Sequence, residues 1–269
     1  MRNGDGSRRD GWDPGATRVE GRRALITGGA SGIGLAIARR LADRGAHVVV
    51  TDVDEAALAA ACAELGEAEA IAADLSDRAD VGRVVEQAGA VEILVNNAGF
   101  QHVSPIESFP AETWDRLLAV MLTAPFLLTR GFLPSMYAAG WGRVINIASV
   151  HSLVASPYKS AYVAAKHGLV GLTKTVALEA ASRCPDVSVH AICPSYVRTP
   201  LVEAQVADQA RAHGIAPSAV VNDVLLQSNA VKRLIEPDDV AEAVCFLCGP
   251  AGWTMTGAVL TMDAGWLAH

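Results

Sequence analysis

The sequence predicts an α/β fold in which a single domain is built on a parallel, doubly wound sheet of seven strands. Between about residues 23 and 193, short apolar runs alternate with segments that have the periodicity of amphipathic helices. This alternation is typical of parallel sheets, because each parallel strand needs a crossover helix before the next strand. The chain has 269 residues, 51% of them hydrophobic, which is enough for one large domain and does not require two.

A glycine-rich turn follows the first predicted strand, Arg23–Thr27. The turn spans residues 28–34 and reads Gly-Gly-Ala-Ser-Gly-Ile-Gly, and a helical pattern begins directly after it. Glycines allow a sharp turn and a close approach of the backbone to a pyrophosphate, and the helix N-terminus then offers free N–H groups and a positive dipole end. A strand, this turn and a helix in succession predict a dinucleotide site of the Rossmann type rather than a plain turn.

The second predicted strand, Ala46–Asp52, ends in a carboxylate. Asp52 follows Gly28 at about the distance expected for a residue that accepts hydrogen bonds from the ribose hydroxyls. The same carboxylate would repel a 2′-phosphate, and no Arg or Lys follows Gly29 or Asp52 closely enough to offset that repulsion. The sequence therefore predicts NAD rather than NADP. An alternative role for Asp52 is to cap the helix that starts near Asp54.

The remaining elements continue the alternation and bring polar residues to one edge of the sheet. The predicted strands are Glu69–Ala73, Val91–Val95, Gly142–Ser149, Val187–Cys193 and Ala258–Met262, and the predicted helices are Asp54–Leu65, Asp77–Ala88, Pro110 to about Tyr137 with an interruption at Pro125, Ser156–Ser182 and Asp238–Leu247. Asp74, Asn96, Ser149 and Ser195 follow strands, at the edge where such sheets bind ligands. Residues 195–235 contain no strand pattern, only helical stretches at 203–213 and 218–228, and we expect a helical substrate lid there.

One face of the helix that starts near Ser156 carries reactive side chains. Lys159, Tyr162 and Lys166 share that face, and Ser156 is a suitable N-cap. An ammonium group beside a phenol favours phenolate, so we expect Lys166 to lower the pKa of Tyr162. Ser149 could add a hydroxyl to the same site. Taken alone, this spacing is equally compatible with a solvated helix face.

Composition and charge exclude several classes of protein. The formal net charge of −7 argues against a nucleic-acid surface or a polybasic membrane anchor, and we expect no apolar run that reaches the length of a membrane span. Residues 1–18 lack the apolar core of a signal peptide and are expected to be a disordered leader to a domain at 19–269. The odd number of scattered cysteines, Cys245 and Cys248 among them, predicts reduced core thiols, a cytoplasmic location and no metal site.

Four motifs in order give the chain a specific resemblance: the glycine turn at 28–34, Asn-Asn-Ala-Gly at 96–99, Ser149, and Tyr-Val-Ala-Ala-Lys at 162–166. From about residue 20 to 266 the sequence resembles the short-chain dehydrogenase/reductase family. The resemblance implies a homotetrameric oxidoreductase for an alcohol or ketone. Tyr162 would be the general acid/base, Ser149 would bind the substrate oxygen, and Lys166 would bind the nicotinamide ribose. The implied cofactor residues are Gly28, Ser31, Ile33, Gly34, Asp52, Asp74, Leu75, Asn96, Tyr162, Lys166, Val197 and Thr199.

The substrate pocket is suggested by a narrower resemblance to family members that act on short hydroxy acids such as 3-hydroxybutyrate. The matching positions Gln101, His151, Lys159 and Gln205 would hold the substrate carboxylate, and Tyr196 would form the pocket floor. A small carboxylate needs several convergent donors and at least one positive charge. Individually, each of these residues is as compatible with an ordinary loop or surface role.

One departure from the family pattern affects the proton's route to water. Met121 stands where the family has an asparagine of the proton relay, and a thioether cannot replace its hydrogen bonds. We hypothesise that Pro125, which has no N–H, frees the carbonyl of residue 121 to hold a water instead. Two other functions remain open: a dehydrogenase for a sugar, a cyclic alcohol or a 3-oxoacyl thioester, and a catalytically weak NAD-binding sensor.

Overall fold

The computed structural model describes residues 19–200, 202–203, 206, 210 and 216–268. They form one α/β domain around a seven-stranded sheet with the order β3-β2-β1-β4-β5-β6-β7, and every pair of neighbours is parallel. The strands are β1 Arg23–Thr27, β2 His47–Asp52, β3 Glu69–Ala72, β4 Ile93–Asn96, β5 Gly142–Ile147, β6 Val187–Pro194 and β7 Val259–Met262. The predicted fold class is confirmed.

Helices cover both faces of this sheet in the part of the chain that the structure describes. They are α1 Gly32–Ala42, α2 Glu55–Leu65, α3 Arg78–Ala88, α4 Ala111–Leu118, α5 Ala124–Ala139, α6 Ser160–Arg183, α7 Pro217–Val220 and α8 Pro237–Cys248. Side chains of β1 alternate between two apolar clusters: Ala24 and Ile26 face the cluster that contains α1 and α8, while Leu25 faces the one that contains α3, α5 and α6. Burial of both faces explains why the strands are continuous apolar runs.

The predicted break at Pro125 does not occur. Residues 111–139 form one helical run, and the five residues Ala119–Thr123 within it are π-helical, so that the Ala124 N–H donates to the Ala119 carbonyl five residues earlier. Pro125 lies in the first turn of α5, where its missing N–H is tolerated. The π-helical turn therefore accommodates the proline without ending the helix.

The helical run 111–139 contradicts the expectation that no apolar segment reaches the length of a membrane span. Residues 111–139 are long and apolar enough to cross a membrane by length and composition alone, since an 18-residue window within them has a mean hydropathy of 1.6. However, Leu128, Phe132 and Met136 are buried in the cluster between α5 and the sheet. These apolar side chains of the helix therefore belong to the core of the domain.

The start of α6 also differs from the prediction. Ser156 is not its N-cap, because its hydroxyl forms a hydrogen bond of 2.7 Å with His151 Nε2 instead. Tyr158 has a left-handed backbone (φ +67°), which excludes it from a right-handed helix. The helix begins at Ser160, with Lys159 in the capping position.

The segment after β6 is closed at its base and has a small core of its own. Val197 pairs with Ile235 in a short parallel bridge, and the Arg198 N–H donates to the Ile235 carbonyl at 2.8 Å. Inside this loop the described residues Val202, Ala210, Val220 and Leu225 form a separate apolar cluster. Of the two predicted helices, the second is α7 followed by a π-helical turn, Val221–Leu225, and most of the first lies outside the described residues.

Cys245 and Cys248, which are separated by two residues as in many redox sites, are core thiols. Cys245 and Cys248 lie in α8 and are buried against the sheet. Burial raises the pKa of Cys245 to about 11 and that of Cys248 to about 12. Both are therefore protonated and unreactive near neutral pH.

His190 makes stability depend on pH. It is buried in β6, where its ring contacts the Met255 carbonyl at 3.0 Å and the Ser188 hydroxyl at 2.9 Å, and burial lowers its pKa to about 4. Because the folded pKa lies below the unfolded value of about 6.5, stabilisation is complete above about pH 6.5 and is lost as the pH falls towards 4. Between about pH 7.5 and pH 5 we expect His190 to account for a loss of about 2 kcal/mol.

Urea unfolding at those two pH values tests this expectation. His190→Gln should reduce the pH-dependent loss by about 2 kcal/mol, while His151 titrates equally in both proteins. An unchanged loss in the variant would show that His190 is not buried in its neutral form.

Candidate active site

The carboxyl ends of the central strands open into a cleft of about 470 Å³. Ser149 lines this cleft, and so do ten of the twelve predicted cofactor residues. The ten are Gly28, Ser31, Ile33, Asp52, Asp74, Leu75, Tyr162, Lys166, Val197 and Thr199. Gly34 and Asn96 do not line the cleft. They lie behind the residues that do, and contact them or their neighbours. The Asn96 side chain is buried and donates to Asn146 Oδ1 at 2.8 Å.

The glycine turn has the shape of a phosphate cradle. A Cβ atom on Gly34 would lie 2.0 Å from the Gly28 carbonyl oxygen, and Gly28 itself has a φ of +62° and lies against Ala98. Larger side chains would therefore fill the space in which the turn folds back on α1. Ser31 stands at the N-terminus of α1 with no hydrogen bond from its side chain to the helix. The turn, the free hydroxyl and the helix N-terminus fit a pyrophosphate.

Asp52 is not the cap of α2. That role belongs to Asp54, whose carboxylate accepts the Ala57 N–H at 3.0 Å. Asp52 instead accepts the Ala30 N–H of the glycine turn at 3.3 Å and the Val53 N–H at 2.8 Å. These bonds hold the carboxylate at the rim of the cleft, as a ribose-binding acid requires.

Asn97 holds the wall of the cleft and was missed in the sequence, where only Asn96 was assigned. Its side-chain amide donates to the Thr27 carbonyl at 2.9 Å and to the Gly28 carbonyl at 3.0 Å. The Thr27 hydroxyl in turn accepts the Asn97 and Ala98 N–H groups at 2.9 and 3.0 Å. The end of β1 and the end of β4 are thereby joined under the glycine turn.

Ser149, Tyr162 and Lys166 meet at the inner end of the cleft. Ser149 begins a short turn after β5, and its hydroxyl accepts the His151 N–H at 3.2 Å and is hydrogen-bonded to Tyr162. The buried Lys166 ammonium donates to the Ile147 carbonyl at 2.7 Å and lies 5.7 Å from the centre of the Tyr162 ring. An acid/base phenol, a hydroxyl and an ammonium therefore share one small space.

The predicted decrease in the pKa of Tyr162 is not observed. Burial raises the pKa of Tyr162, and the hydrogen bond with Ser149 offsets only part of this effect. Burial also lowers the pKa of Lys166, to about 8. The spacing on the helix face was correct, but it could not show that both groups are withdrawn from water.

Cys193 at the end of β6 is a neighbour that the sequence did not reveal. Burial raises its pKa, and hydrogen bonds with the Ser149 N–H and the Ser152 hydroxyl act in the opposite direction. The Ser152 hydroxyl also accepts the Ser149 N–H at 3.2 Å. Cys193 and Ser152 thus fix the turn that presents Ser149.

The predicted substrate residues Lys159, Tyr196 and His151 gather beside Tyr162. Lys159 Nζ donates to the Tyr196 hydroxyl at 3.5 Å, and burial lowers the pKa of Lys159. The His151 ring lies edge-on to the Tyr162 ring at 6.2 Å, and burial lowers the pKa of His151 to about 4. His151 is therefore neutral near pH 7, and the positive charge of this group comes from Lys159.

Two other predicted substrate residues have different outcomes. Gln101 has a buried side-chain oxygen that no described residue bonds, as a group awaiting a ligand would have. Gln205 lies outside the described residues.

Trp266 packs against two of the predicted substrate residues, and the sequence did not identify it. Its ring stacks on Tyr196 at 6.1 Å and meets His151 edge-on at 5.7 Å. Asp263 holds the turn that carries it, because the Asp263 carboxylate accepts the Gly265 N–H at 3.1 Å. Trp266 is distant from Tyr196 and His151 along the chain, so its contacts with them become recognisable only once β7 lies beside β6.

Met121 lies directly beside the cleft, in the π-helical turn. Its buried side chain packs on Gly99 and on α6 at Ala161 and Ala165. In an α-helix the Ala124 N–H would serve the Val120 carbonyl, but here it serves Ala119. Together with the missing N–H of Pro125, this deprives two successive carbonyls, those of residues 120 and 121, of their α-helical donors. The hypothesis of a freed carbonyl is thus extended from one residue to two.

We expect Met121→Asn to change kcat by less than about tenfold, because the backbone carbonyls remain available to a water, with Met121→Leu as the matched apolar control. Steady-state kinetics of both variants provide the check. If the asparagine variant gained several orders of magnitude in turnover, as restoration of a missing relay group would give, the backbone route would be wrong.

Residues 22–210 match the family model described as short chain dehydrogenase. The chain belongs to the short-chain dehydrogenase family. It is accordingly an oxidoreductase, and its membership of the family supports a nicotinamide dinucleotide as the cofactor. The resemblance based on the four motifs is confirmed.

Curated members of the short-chain dehydrogenase family match the chain over nearly its whole length. It is 47% identical over 260 residues to the D-beta-hydroxybutyrate dehydrogenase of Rhizobium meliloti (strain 1021), covering 91% of this chain and 98% of that protein. It is 43% identical over 259 residues to the enzyme of the same name from Cupriavidus necator, covering 93% of this chain and 100% of the relative.

Among solved structures, the chain resembles L-sorbose reductase from Gluconobacter frateurii, which is complexed with NADPH and L-sorbose. The TM-score is 0.88 at 29% sequence identity, and the match covers 94% of this chain and 99% of the other. The domain is therefore a short-chain dehydrogenase fold throughout, and the choice between NAD and NADP rests on residues of the individual chain.

Proposed function

We propose that the protein is an NAD-dependent dehydrogenase that interconverts (R)-3-hydroxybutyrate and acetoacetate, or a closely similar short hydroxy acid and its ketone. The observation that carries the proposal is the partly buried Lys159 ammonium, which lies at the N-cap of α6, three residues before Tyr162, and 3.5 Å from the Tyr196 hydroxyl. Withdrawing an ammonium group from water is costly unless an anion compensates it. A substrate with a carboxylate and a hydroxyl two carbons apart meets both Lys159 and Tyr162.

In this scheme the chain's own groups carry the proton. Tyr162 takes the proton of the substrate hydroxyl in the oxidising direction and returns it in the reducing direction, while Ser149 hydrogen-bonds the same oxygen. Lys166, anchored on the Ile147 carbonyl, holds its charge beside Tyr162. When bound, the nicotinamide ring supplies the hydride acceptor and donor.

The carboxylate would be held by one cation and several neutral donors. Lys159 supplies the charge, and Tyr196, Gln101 and neutral His151 supply hydrogen bonds. Trp266 closes the apolar side of the pocket. Gln205 and the rest of segment 195–235 would complete it as a lid, which suits a small substrate that must be shielded from water.

The preference for NAD rests on Asp52. Its carboxylate is fixed by the Ala30 and Val53 N–H groups, so that it cannot turn away from a cofactor phosphate without losing them. A 2′-phosphate at this position would meet a fixed negative charge.

Several broader assignments belong to the same proposal: a homotetramer, a cytoplasmic location, a leader at 1–18 apart from the catalytic domain at 19–269, and a role in ketone-body metabolism. The alternative of an uncharged sugar, an uncharged cyclic alcohol or a thioester gives the partly buried Lys159 no carboxylate to bind. The alternative of a weak NAD-binding sensor gives no purpose to the assembled Ser149, Tyr162 and Lys166.

The test is a comparison of (R)-3-hydroxybutyrate with its methyl ester in the presence of NAD or NADP. With NAD, we expect the wild-type enzyme to prefer the acid over the ester about a hundredfold in kcat/KM, because only the acid pairs with Lys159. Lys159→Met should lower kcat/KM for the acid by a similar factor and change that for the ester by less than about threefold.

Lys174→Met is the matched control, since Lys174 is an exposed lysine on the same helix. We expect no change from it with either substrate. Equal wild-type rates on the acid and the ester would defeat the carboxylate assignment.

A further inference from the structure

The outer end of the cleft holds an arginine that the function described above does not use. Arg116 lies on α4 and lines the cleft opposite Asp74, which follows β3. Its guanidinium Nη2 is 3.5 Å from Asp74 Oδ2, and the pair joins the two walls at this end. Half of each side chain, or nearly so, remains exposed, at 55% and 40%.

The position of this pair along the cleft indicates which part of a dinucleotide it meets. Ser149, Tyr162 and Lys166 mark the nicotinamide end, the glycine turn follows beside β1, and Asp52 marks a ribose at the end of β2. Because β3 is the next strand outwards, the residues beyond Asp52 face the base attached to that ribose. Val53, Asp74, Leu75 and Arg116 line this part.

The surroundings of Arg116 suit a flat aromatic ligand. Its guanidinium carbon lies 5.5 Å from the centre of the Phe100 ring, so an aromatic ring supports the cation from the protein side. Asp74 Oδ1 already accepts the Ser76 N–H at 2.9 Å and the Ser76 hydroxyl at 2.7 Å. Asp74 Oδ2 thus remains to hold Arg116 and to accept a hydrogen bond from an amino group. A planar cation and a carboxylate oxygen together are complementary to adenine.

We propose that Arg116 is a cofactor-binding residue, whose guanidinium stacks on the adenine of the dinucleotide and is held in place by Phe100 and Asp74. The inference rests on the dinucleotide assignment of the proposed function and adds a residue to it. Stability of the fold gives little reason for the pair, since an exposed ion pair at this distance contributes little. Arg116 was not assigned from the sequence, because it is distant from Gly29 and Asp52 along the chain and reaches the cleft only through the packing of α4.

Calorimetric titration with ADP-ribose, which carries the adenosine and pyrophosphate but no nicotinamide, tests the proposal without catalysis. Arg116→Ala should weaken ADP-ribose binding about tenfold and leave nicotinamide mononucleotide binding unchanged. Arg116→Lys should recover only a small part, because lysine keeps the charge and lacks the plane. Arg130→Ala is the matched control, since Arg130 is exposed on the same helical run, over Phe126, and it should have no effect.

Three outcomes would overturn the proposal: equal ADP-ribose affinity in wild type and Arg116→Ala, full recovery in Arg116→Lys, or a loss confined to 2′-phospho-ADP-ribose, which would indicate a phosphate contact instead. Arg116→Gln keeps the side-chain volume and serves if the alanine variant is less stable. Failure of the wild-type enzyme to oxidise any hydroxy acid would contradict the proposed substrate and leave this binding result intact.

Discussion

A chain of buried side-chain hydrogen bonds sets the position of α6 on the sheet, and the active site depends on it. Asn96 of β4 donates to Asn146 of β5 at 2.8 Å, and Asn146 donates to the Thr173 hydroxyl of α6 at 2.8 Å. Thr173 continues to the Leu169 carbonyl within the helix, at 2.8 Å. Breaking these bonds would leave buried polar groups unpaired, so they favour one rotation and height of α6. Asn96 Oδ1 has no partner among the described residues.

That placement brings together residues from two elements. Ser149 extends from β5, and Tyr162 and Lys166 extend from α6, with the bond from Lys166 to the Ile147 carbonyl as a second tie between them. A shift of α6 by one residue would break the amide chain and separate the phenol from the hydroxyl. The same rotation directs Lys159 to the other end of Tyr162, towards Tyr196 and Trp266.

Burial then decides the charges. Tyr162 is partly and Lys166 almost fully withdrawn from water, so the phenol holds its proton more tightly and the ammonium less tightly than in solution. His151 stays neutral for the same reason. With a pKa of about 8, Lys166 still carries most of its charge near pH 7, beside the protonated phenol of Tyr162. Lys159 provides a second positive charge at the carboxylate end. In our account, a substrate anion is what balances it.

The fold and the inner site were largely predictable from the sequence, because they depend on local patterns. The apolar runs predict the strands, and the glycine-rich turn predicts the phosphate cradle around Gly34. The spacing of Tyr162 and Lys166 predicts that both lie on one face of a helix. What depends on contacts distant in sequence was not predictable. The start of α6 is set by Ser156 bonding His151, and the pocket wall is set by Trp266 reaching Tyr196.

Two further features could not be predicted from the sequence, because they depend on how the chain packs and not on a single distant contact. The π-helical turn before Pro125 arises from a choice between two hydrogen-bond registers that differ little in sequence preference. The shift in the pKa of Tyr162 depends on how far its phenol is withdrawn from solvent, which no spacing in the sequence reveals. The sequence therefore identifies Tyr162 and Lys166 as the reactive groups, whereas the packing around them determines their pKa values.

The central claim, that Tyr162 is the proton carrier placed by α6, is tested most directly by NADH formation from (R)-3-hydroxybutyrate with Tyr162→Phe. The ring and its packing are kept, and only the hydroxyl is removed. We predict a loss of about 10³-fold or more in kcat, with NADH affinity within about threefold of the wild-type value. A phenylalanine variant that turns over within about tenfold of the wild-type enzyme would contradict the account.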